Sequence, residues 1–282
     1  MPSWDIRQIA VCEAKGIPVH KDSRILDYGC GAGGRVYELL DAGYEHASGY
    51  DVLDYLKLRD PTDRYRFHIG PDGHIPVPDA SFDFVFSDQV FEHVLNQPLA
   101  WQEIVRVLKP GGASVHVIPA KWQVIEPHIK VPLGGLHPFK HYPYYLLWAI
   151  LGIRNEFQNG LSPREVARRN YHYAHTDLNY WSSHQYRRLF RTLPIEWSWE
   201  EVTYMEASYK SHIRRLAQVA RQIPLVTSLI RTFWTRMLFL IKSAEGKETR
   251  AAERQVKNDM EDSPAETTST DADKMRVASA AS

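Results

Sequence analysis

Gly29, Gly31 and Gly34 fall in a G-x-G-x-x-G spacing, directly after the short apolar run Arg24-Ile25-Leu26-Asp27-Tyr28. Val36, Leu39 and Leu40 follow at helical spacing, and Gly43 closes that helix. Any tight strand-to-helix turn can carry such glycines, so the spacing alone is a weak signal. Context strengthens it. About twenty residues on, Ala47-Ser48-Gly49-Tyr50-Asp51 reads as a second strand that ends in an acid. A carboxylate there can accept both hydroxyls of an adenosine ribose. Turn and acid together point to a cofactor that contains a nucleoside.

NAD and S-adenosylmethionine both satisfy that description, and Asp27 separates them. Two residues before the first glycine, its carboxylate meets a cationic ammonium well and a pyrophosphate badly. The strand Phe82-Asp83-Phe84-Val85-Phe86-Ser87 and the turn Leu108-Lys109-Pro110-Gly111-Gly112 then follow in order. Together with Ile25-Leu26-Asp27-Tyr28-Gly29-Cys30-Gly31-Ala32-Gly33 and Asp51, this series resembles the class I S-adenosylmethionine-dependent methyltransferases, most closely their small-molecule and glycan-modifying branch. The resemblance covers roughly residues 24–118. It implies that Gly29, Cys30, Gly31 and Gly33 let backbone approach the methionine part of S-adenosyl-L-methionine. It also implies that Asp27 lies near the amino group, that Asp51 binds the ribose and that Val52 packs on adenine. Ser87 and Gln89 are implied to flank the methionyl end by backbone. The family's acid for the adenine amino group usually follows a glycine directly. Here Pro71 intervenes after Gly70, so Asp72 is the candidate with a shift of one residue.

A sulfonium is already an activated methyl donor, so the protein need only align the acceptor and exclude water. A hydroxyl acceptor benefits from a general base, and the candidates are His93, in Phe91-Glu92-His93-Val94, and His137 and His141 further on. His137 and His141 are four apart, but Pro138 and Pro143 oppose a helix there and spacing supplies no third ligand. No metal is expected.

Strands alternating with helices through residue 118 indicate a doubly wound, Rossmann-like α/β sheet with helices on both faces. We divide the chain into an N-terminal helix and cofactor-binding core (1–118), an aromatic insertion or substrate lid after the fifth strand (119–182) and a return to the core by a helix and closing strands (183–208). Basic amphipathic C-terminal helices (209–242) broken at Pro224 and a disordered tail (243–282) complete it. In the insertion one short apolar helix is expected around Tyr144–Leu151. Its rings, Trp122, Tyr142, Tyr173 and Trp181 among them, form a small core of their own or stack on a flat acceptor such as a sugar. In the C-terminal segment Arg214, Arg215, Arg221 and Arg231 accompany Leu225, Leu229, Phe233 and Trp234 without an acid. The stretch 224–242 is therefore a candidate for lying on a membrane surface, with packing on the core or in a homodimer as the other reading.

Equal numbers of basic and acidic residues, 34 each, exclude a global attraction to nucleic acid. Cys12 and Cys30 cannot build a disulfide framework, the N-terminus lacks the pattern of a signal peptide and no run suits a bilayer span, so a cytoplasmic protein is expected, with peripheral membrane contact as an addition. The expected activity is O-methylation of a small-molecule or glycan acceptor, which a membrane-surface site would let be lipid-linked. An NAD-linked oxidoreductase and a non-catalytic binding subunit on the same fold are the rival readings. Affinity for NAD rather than S-adenosylhomocysteine marks the first, and weak cofactor binding without transfer marks the second.

Overall fold

A computed structural model of the chain describes residues 7–136 and 139–243. After helix α1 (Arg7–Ala14) come β1 (Ile25–Tyr28), α2 (Gly34–Asp41), β2 (Ala47–Asp51), β3 (Phe67–Ile69), β4 (Phe82–Asp88), α3 (Gln97–Val107) and β5 (Leu108–Pro119). Helices α4 (Tyr142–Ile150), α5 (Pro163–Thr176) and α6 (Ser183–Phe190) follow. Then come β6 (Ile195–Trp199), α7 (Glu201–Glu206), α8 (Ser211–Gln222), α9 (Pro224–Phe233) and β7 (Thr235–Lys242). The strands form one seven-stranded sheet in the order β3-β2-β1-β4-β5-β7-β6. Its first five strands pair in parallel, and β7 runs antiparallel between β5 and β6. This is the expected doubly wound α/β fold.

Alternation along the strands assigns side chains to two cores. Ile25, Phe84, Phe86, Met237 and Phe239 face α1 and α2, whereas Leu26, Val85, Leu238 and Leu240 face α3 and α6. Both faces of the sheet are therefore buried, as parallel strands require. Strand order reverses between β1 and β4, and ligands of open α/β sheets bind in the crevice beyond the carboxyl ends of such a pair.

Three expectations about the elements need correction. The stretch Thr235–Lys242, read as the end of an amphipathic helix, is the strand β7, buried at its centre. A continuous apolar run is consistent with either state, and periodicity alone cannot decide between them. Of the expected closing strands from Glu196 to Ala207, only β6 is extended, and Glu201–Glu206 is helix α7. The insertion holds a second helix, α5, whose signals were legible: the Ser162 hydroxyl accepts from the Glu165 amide and Pro163 sits in the first turn. Helices α4 and α5 bury a core of their own around Tyr145, Ala149, Val166 and Ala167. The expected tail lies beyond Ser243, outside the described residues. Among the described residues no helix is long and apolar enough to cross a membrane.

Candidate active site

The turn after β1 is built by three glycines with different jobs. Gly29, Gly31 and Gly33 have φ of 81°, 51° and 84°, a region that side chains disfavour. A Cβ on Gly29 would stand 2.5 Å from a Val90 methyl, and one on Gly33 would stand 2.8 Å from the Phe67 ring. These two are demanded by packing. Gly31 has nothing within 4 Å of where a Cβ would be, so its outer side is free for a ligand. Cys30 turns its side chain inward, where Gly49 makes room for it, and burial raises its thiol pKa. Its amide and that of Gly29 both donate to the Tyr50 carbonyl, tying the turn to the end of β2.

Asp51 terminates β2. Its Oδ2 accepts from the Gly31 amide at 2.8 Å and its Oδ1 from the Leu53 amide at 3.2 Å, so the carboxylate is oriented by the same turn. The side chains of Val52 and Leu53 beside it are exposed. Asp72 lies in the turn after β3 and accepts from the His74 amide at 3.0 Å. Its loop reaches the β2 end, because the Gly70 amide donates to the Asp51 carbonyl and the Tyr50 hydroxyl to the Gly70 carbonyl. Arg106 of α3 fastens that loop through the Ile75 and Val77 carbonyls.

On the other side of the crevice Asp27 is almost completely buried, and loss of water pushes its carboxyl up to about 7. Arg35 opposes the rise, while Asp88, Asp51 and Glu38 add to it. Asp88, not singled out from sequence, ends β4 and lies 3.8 Å from Arg35, with its pKa also raised by burial. Gln89 takes a positive φ of 56° and donates its amide to the Val117 carbonyl. Ser87 is buried, its hydroxyl 2.8 Å from Nδ1 of the core histidine His116, so its side chain belongs to the interior.

His93 follows in the segment after β4. Its Nδ1 lies 2.8 Å from the Asp177 carbonyl, and burial lowers its pKa. Its ring meets that of His128, a residue sequence reasoning did not select, edge to face at 4.9 Å. His128 Nδ1 lies 2.8 Å from Oε1 of the buried Glu126, to which the Tyr180 hydroxyl also donates. Burial opposes protonation of His128, but Glu126 holds its pKa above the ordinary value. Glu92 is buried beside them, and loss of water raises its carboxyl to about 7. Their only sequence signal was adjacency: Glu92 precedes His93, and Glu126 stands two before His128. Of the other candidates, His141 stands at the N-cap position of α4 and is exposed. His137 lies outside the described residues.

Asn179 anchors the insertion over this segment. Its amide donates to the Glu92 carbonyl, its side-chain nitrogen lies within 3.1 Å of the Val94 and Leu95 carbonyls, and Gln97 donates to its own carbonyl. A cavity of about 860 Å³ opens within the insertion, lined by His128, Arg154, Asn170, Tyr173 and Asp177.

Residues 26–115 match the family model described as a methyltransferase domain. A sterol 24-C-methyltransferase of Gibberella zeae is 31% identical over 107 residues, 35% of this chain and 28% of that protein. A 27-O-demethylrifamycin SV methyltransferase of Amycolatopsis mediterranei is 29% identical over 34% of this chain and 38% of its own. The chain thus spans well under half the length of either relative. An S-adenosylmethionine-dependent methyltransferase structure from Mesorhizobium loti aligns over 83% of this chain and 98% of its own, with 14% identity and a TM-score of 0.46. Carried by the glycine turn, Asp51 and the matched segment, the identification is that this chain contains the domain of the class I S-adenosylmethionine-dependent methyltransferases.

Proposed function

We propose that the chain transfers the methyl group of S-adenosyl-L-methionine to a hydroxyl of a small molecule or glycan. The observation that carries this reading is the Asp51 carboxylate held by the Gly31 amide at the mouth of the β1–β4 crevice. The residues fit the cofactor: the outer side of Gly31 is open, exposed Val52 and Leu53 offer an apolar floor for adenine, and Asp72 stands on the same side. Bound there, the cofactor supplies an activated methyl group. Asp27 offers a buried carboxyl to its ammonium end, with Gln89 and the Ser87 backbone on the β4 side. The acceptor enters from the cavity within the insertion. Its hydroxyl is met by the histidine pair His93 and His128, not by the exposed His141. The role of the pair is to remove or stabilise against the hydroxyl proton, while the insertion keeps water out.

A hydroxyl acceptor, in preference to the carbon acceptor named by the sterol relatives, is supported by this histidine pair beside the cavity. The exposed side chains of Ile223, Leu225, Leu229, Phe233 and Trp234 on and beside α9 support contact with a membrane surface, and through it a lipid-linked acceptor. The supporting stretch ends at residue 234, because 235–242 is strand, and Arg231 is already paired with the buried Glu201 at 2.8 Å. Two buried free thiols suit a reducing, cytoplasmic setting.

The test is incubation of the chain with methyl-labelled S-adenosylmethionine and fractionated hydroxylated metabolites and glycans. A labelled product with an alkali-stable methyl ether is expected, and His93→Gln should cut kcat by about 100-fold or more while leaving S-adenosylhomocysteine affinity intact. Label found only on carbon or nitrogen, or an unaltered kcat in the variant, contradicts the reading.

A further inference from the structure

Glu92, His93 and His128 each offer one ligand atom, and these atoms lie within 4.8 Å of one another. The Glu92 side chain is fully buried, and neither of its oxygens has a hydrogen-bond partner. A carboxylate stripped of water and given no donor is costly unless a cation meets it. The nearest candidate, Nε2 of His93, is 3.9 Å away.

Both histidines have their other nitrogen committed. Nδ1 of His93 faces the Asp177 carbonyl at 2.8 Å, an atom that can only accept, so Nδ1 carries the proton and Nε2 keeps its lone pair. Glu126 accepts from the His128 and Ile129 amides on Oε2 and from the Tyr180 hydroxyl on Oε1. A carboxylate that takes three donors in this way acts as an acceptor toward the histidine beside it. Nδ1 of His128, 2.8 Å from Oε1, therefore also donates, and Nε2 is the nitrogen it leaves for an ion, whose binding displaces any proton there. Donation of the remote ring N–H to a carbonyl or carboxylate is how metal-bound histidines are oriented and made better ligands. Two histidines in one cluster both satisfy it here.

We propose that Glu92, His93 and His128 hold a divalent first-row transition metal ion, with Zn²⁺ as its type, whose remaining positions open toward the cavity lined by His128, Tyr173 and Asp177. Two imidazoles and one carboxylate suit such ions better than Mg²⁺ or Ca²⁺, which prefer oxygen. Three protein ligands with a vacant position are the arrangement of a catalytic centre; a structural zinc takes four. Ligand bonds of about 2.0–2.2 Å require the three side chains to draw together by a small rotation from their present spacing. With the ion bound both Nε2 atoms are occupied, so the pair would act on an acceptor hydroxyl through the ion, which makes it more acidic, and not as a direct base. That consequence rests on the methyltransferase reading, whereas binding of the ion does not. The expectation of no metal weighed only His137 and His141, which spacing could bring to notice; here His128 joins the adjacent pair Glu92 and His93 from thirty-five residues further along the chain.

The test uses the full chain stripped with EDTA, with Zn²⁺ and Co²⁺ alone as probes and neither cofactor nor acceptor present. Calorimetry should give one tight site per chain, and Co²⁺ a visible ligand-field spectrum. E92Q, H93Q and H128Q should each weaken Zn²⁺ by more than about tenfold, whereas H141Q should not. S-adenosylhomocysteine affinity, measured in parallel, reports separately on the cofactor site. If a variant fails to fold, the wild-type chain still decides the matter. Zn²⁺ should protect His93 and His128 from diethylpyrocarbonate, read by mass spectrometry. No stoichiometric binding, unchanged affinity in E92Q and H128Q, or modification of both histidines unaffected by Zn²⁺ overturns the proposal.

Discussion

Asp27 keeps its proton up to about pH 7 because burial disfavours its charge, while the cofactor's ammonium end favours that charge. In the cofactor-free chain the native state therefore holds a proton that an unfolded aspartate loses near pH 3.9. Native-state stability must fall as pH rises through that window and level off above it. Arg35, Asp88, Asp51 and Glu38 face the same carboxyl and set the exact midpoint. We predict that Asp27→Asn gains in Tm over wild type as pH rises from about 4 to 7, with a plateau beyond. Affinity of wild type for S-adenosylhomocysteine should rise over the upper part of the window and lose that slope in Asp27→Asn; parallel profiles for the two proteins refute the assignment. Gly31 offers a second residue-scale check. Alanine there meets open space and pays only the cost of a left-handed backbone, about 1–2 kcal/mol, so the chain should stay folded. Its new methyl group should lower cofactor affinity by at least about tenfold in calorimetry. Full affinity in Gly31→Ala means the outer side of the turn does not face the cofactor.

Elements differ in how openly their sequences declare them. The β1 strand, the glycine turn, α2 and the acid ending β2 were legible because each obeys a local rule: a strand run, glycines at a tight turn, helical spacing, a terminal carboxylate. Thr235–Lys242 was not legible, since its neighbours are chosen by β5 and β6, which pair on either side of it far along the chain. The Glu92–His93–His128 cluster was hidden for the same reason: Asn179 and the insertion fold bring its parts together. With β7 in the sheet, the exposed apolar surface of the C-terminal segment narrows to residues near α9. Leu229→Glu with Phe233→Glu should abolish flotation of the chain with anionic liposomes without lowering Tm by more than a few degrees, because both side chains are about half exposed. Flotation that persists in the double variant, or never occurs in wild type, removes the membrane reading.

Across the whole molecule the proposed function assigns the cofactor to the β1–β2 side of the carboxyl-end crevice and the acceptor to its β4 side. The parallel half of the sheet, a closing strand at β6 and a core inside the insertion were anticipated; the antiparallel strand β7 and the second insertion helix α5 were not. Which acceptor enters depends on the shape of a cavity drawn from residues 127 to 177, a property of packing that no single motif encodes. Everything proposed about function nevertheless rests on the grip of the first turn and Asp51 on an adenosyl cofactor. Titration calorimetry of the full chain with S-adenosylhomocysteine, wild type against Asp51→Ala, measures that grip most directly. The account predicts micromolar-range, one-to-one binding that falls by roughly 100-fold or more in the variant, at unchanged Tm. Equal affinity in the two proteins, or binding of NAD in place of S-adenosylhomocysteine, contradicts it.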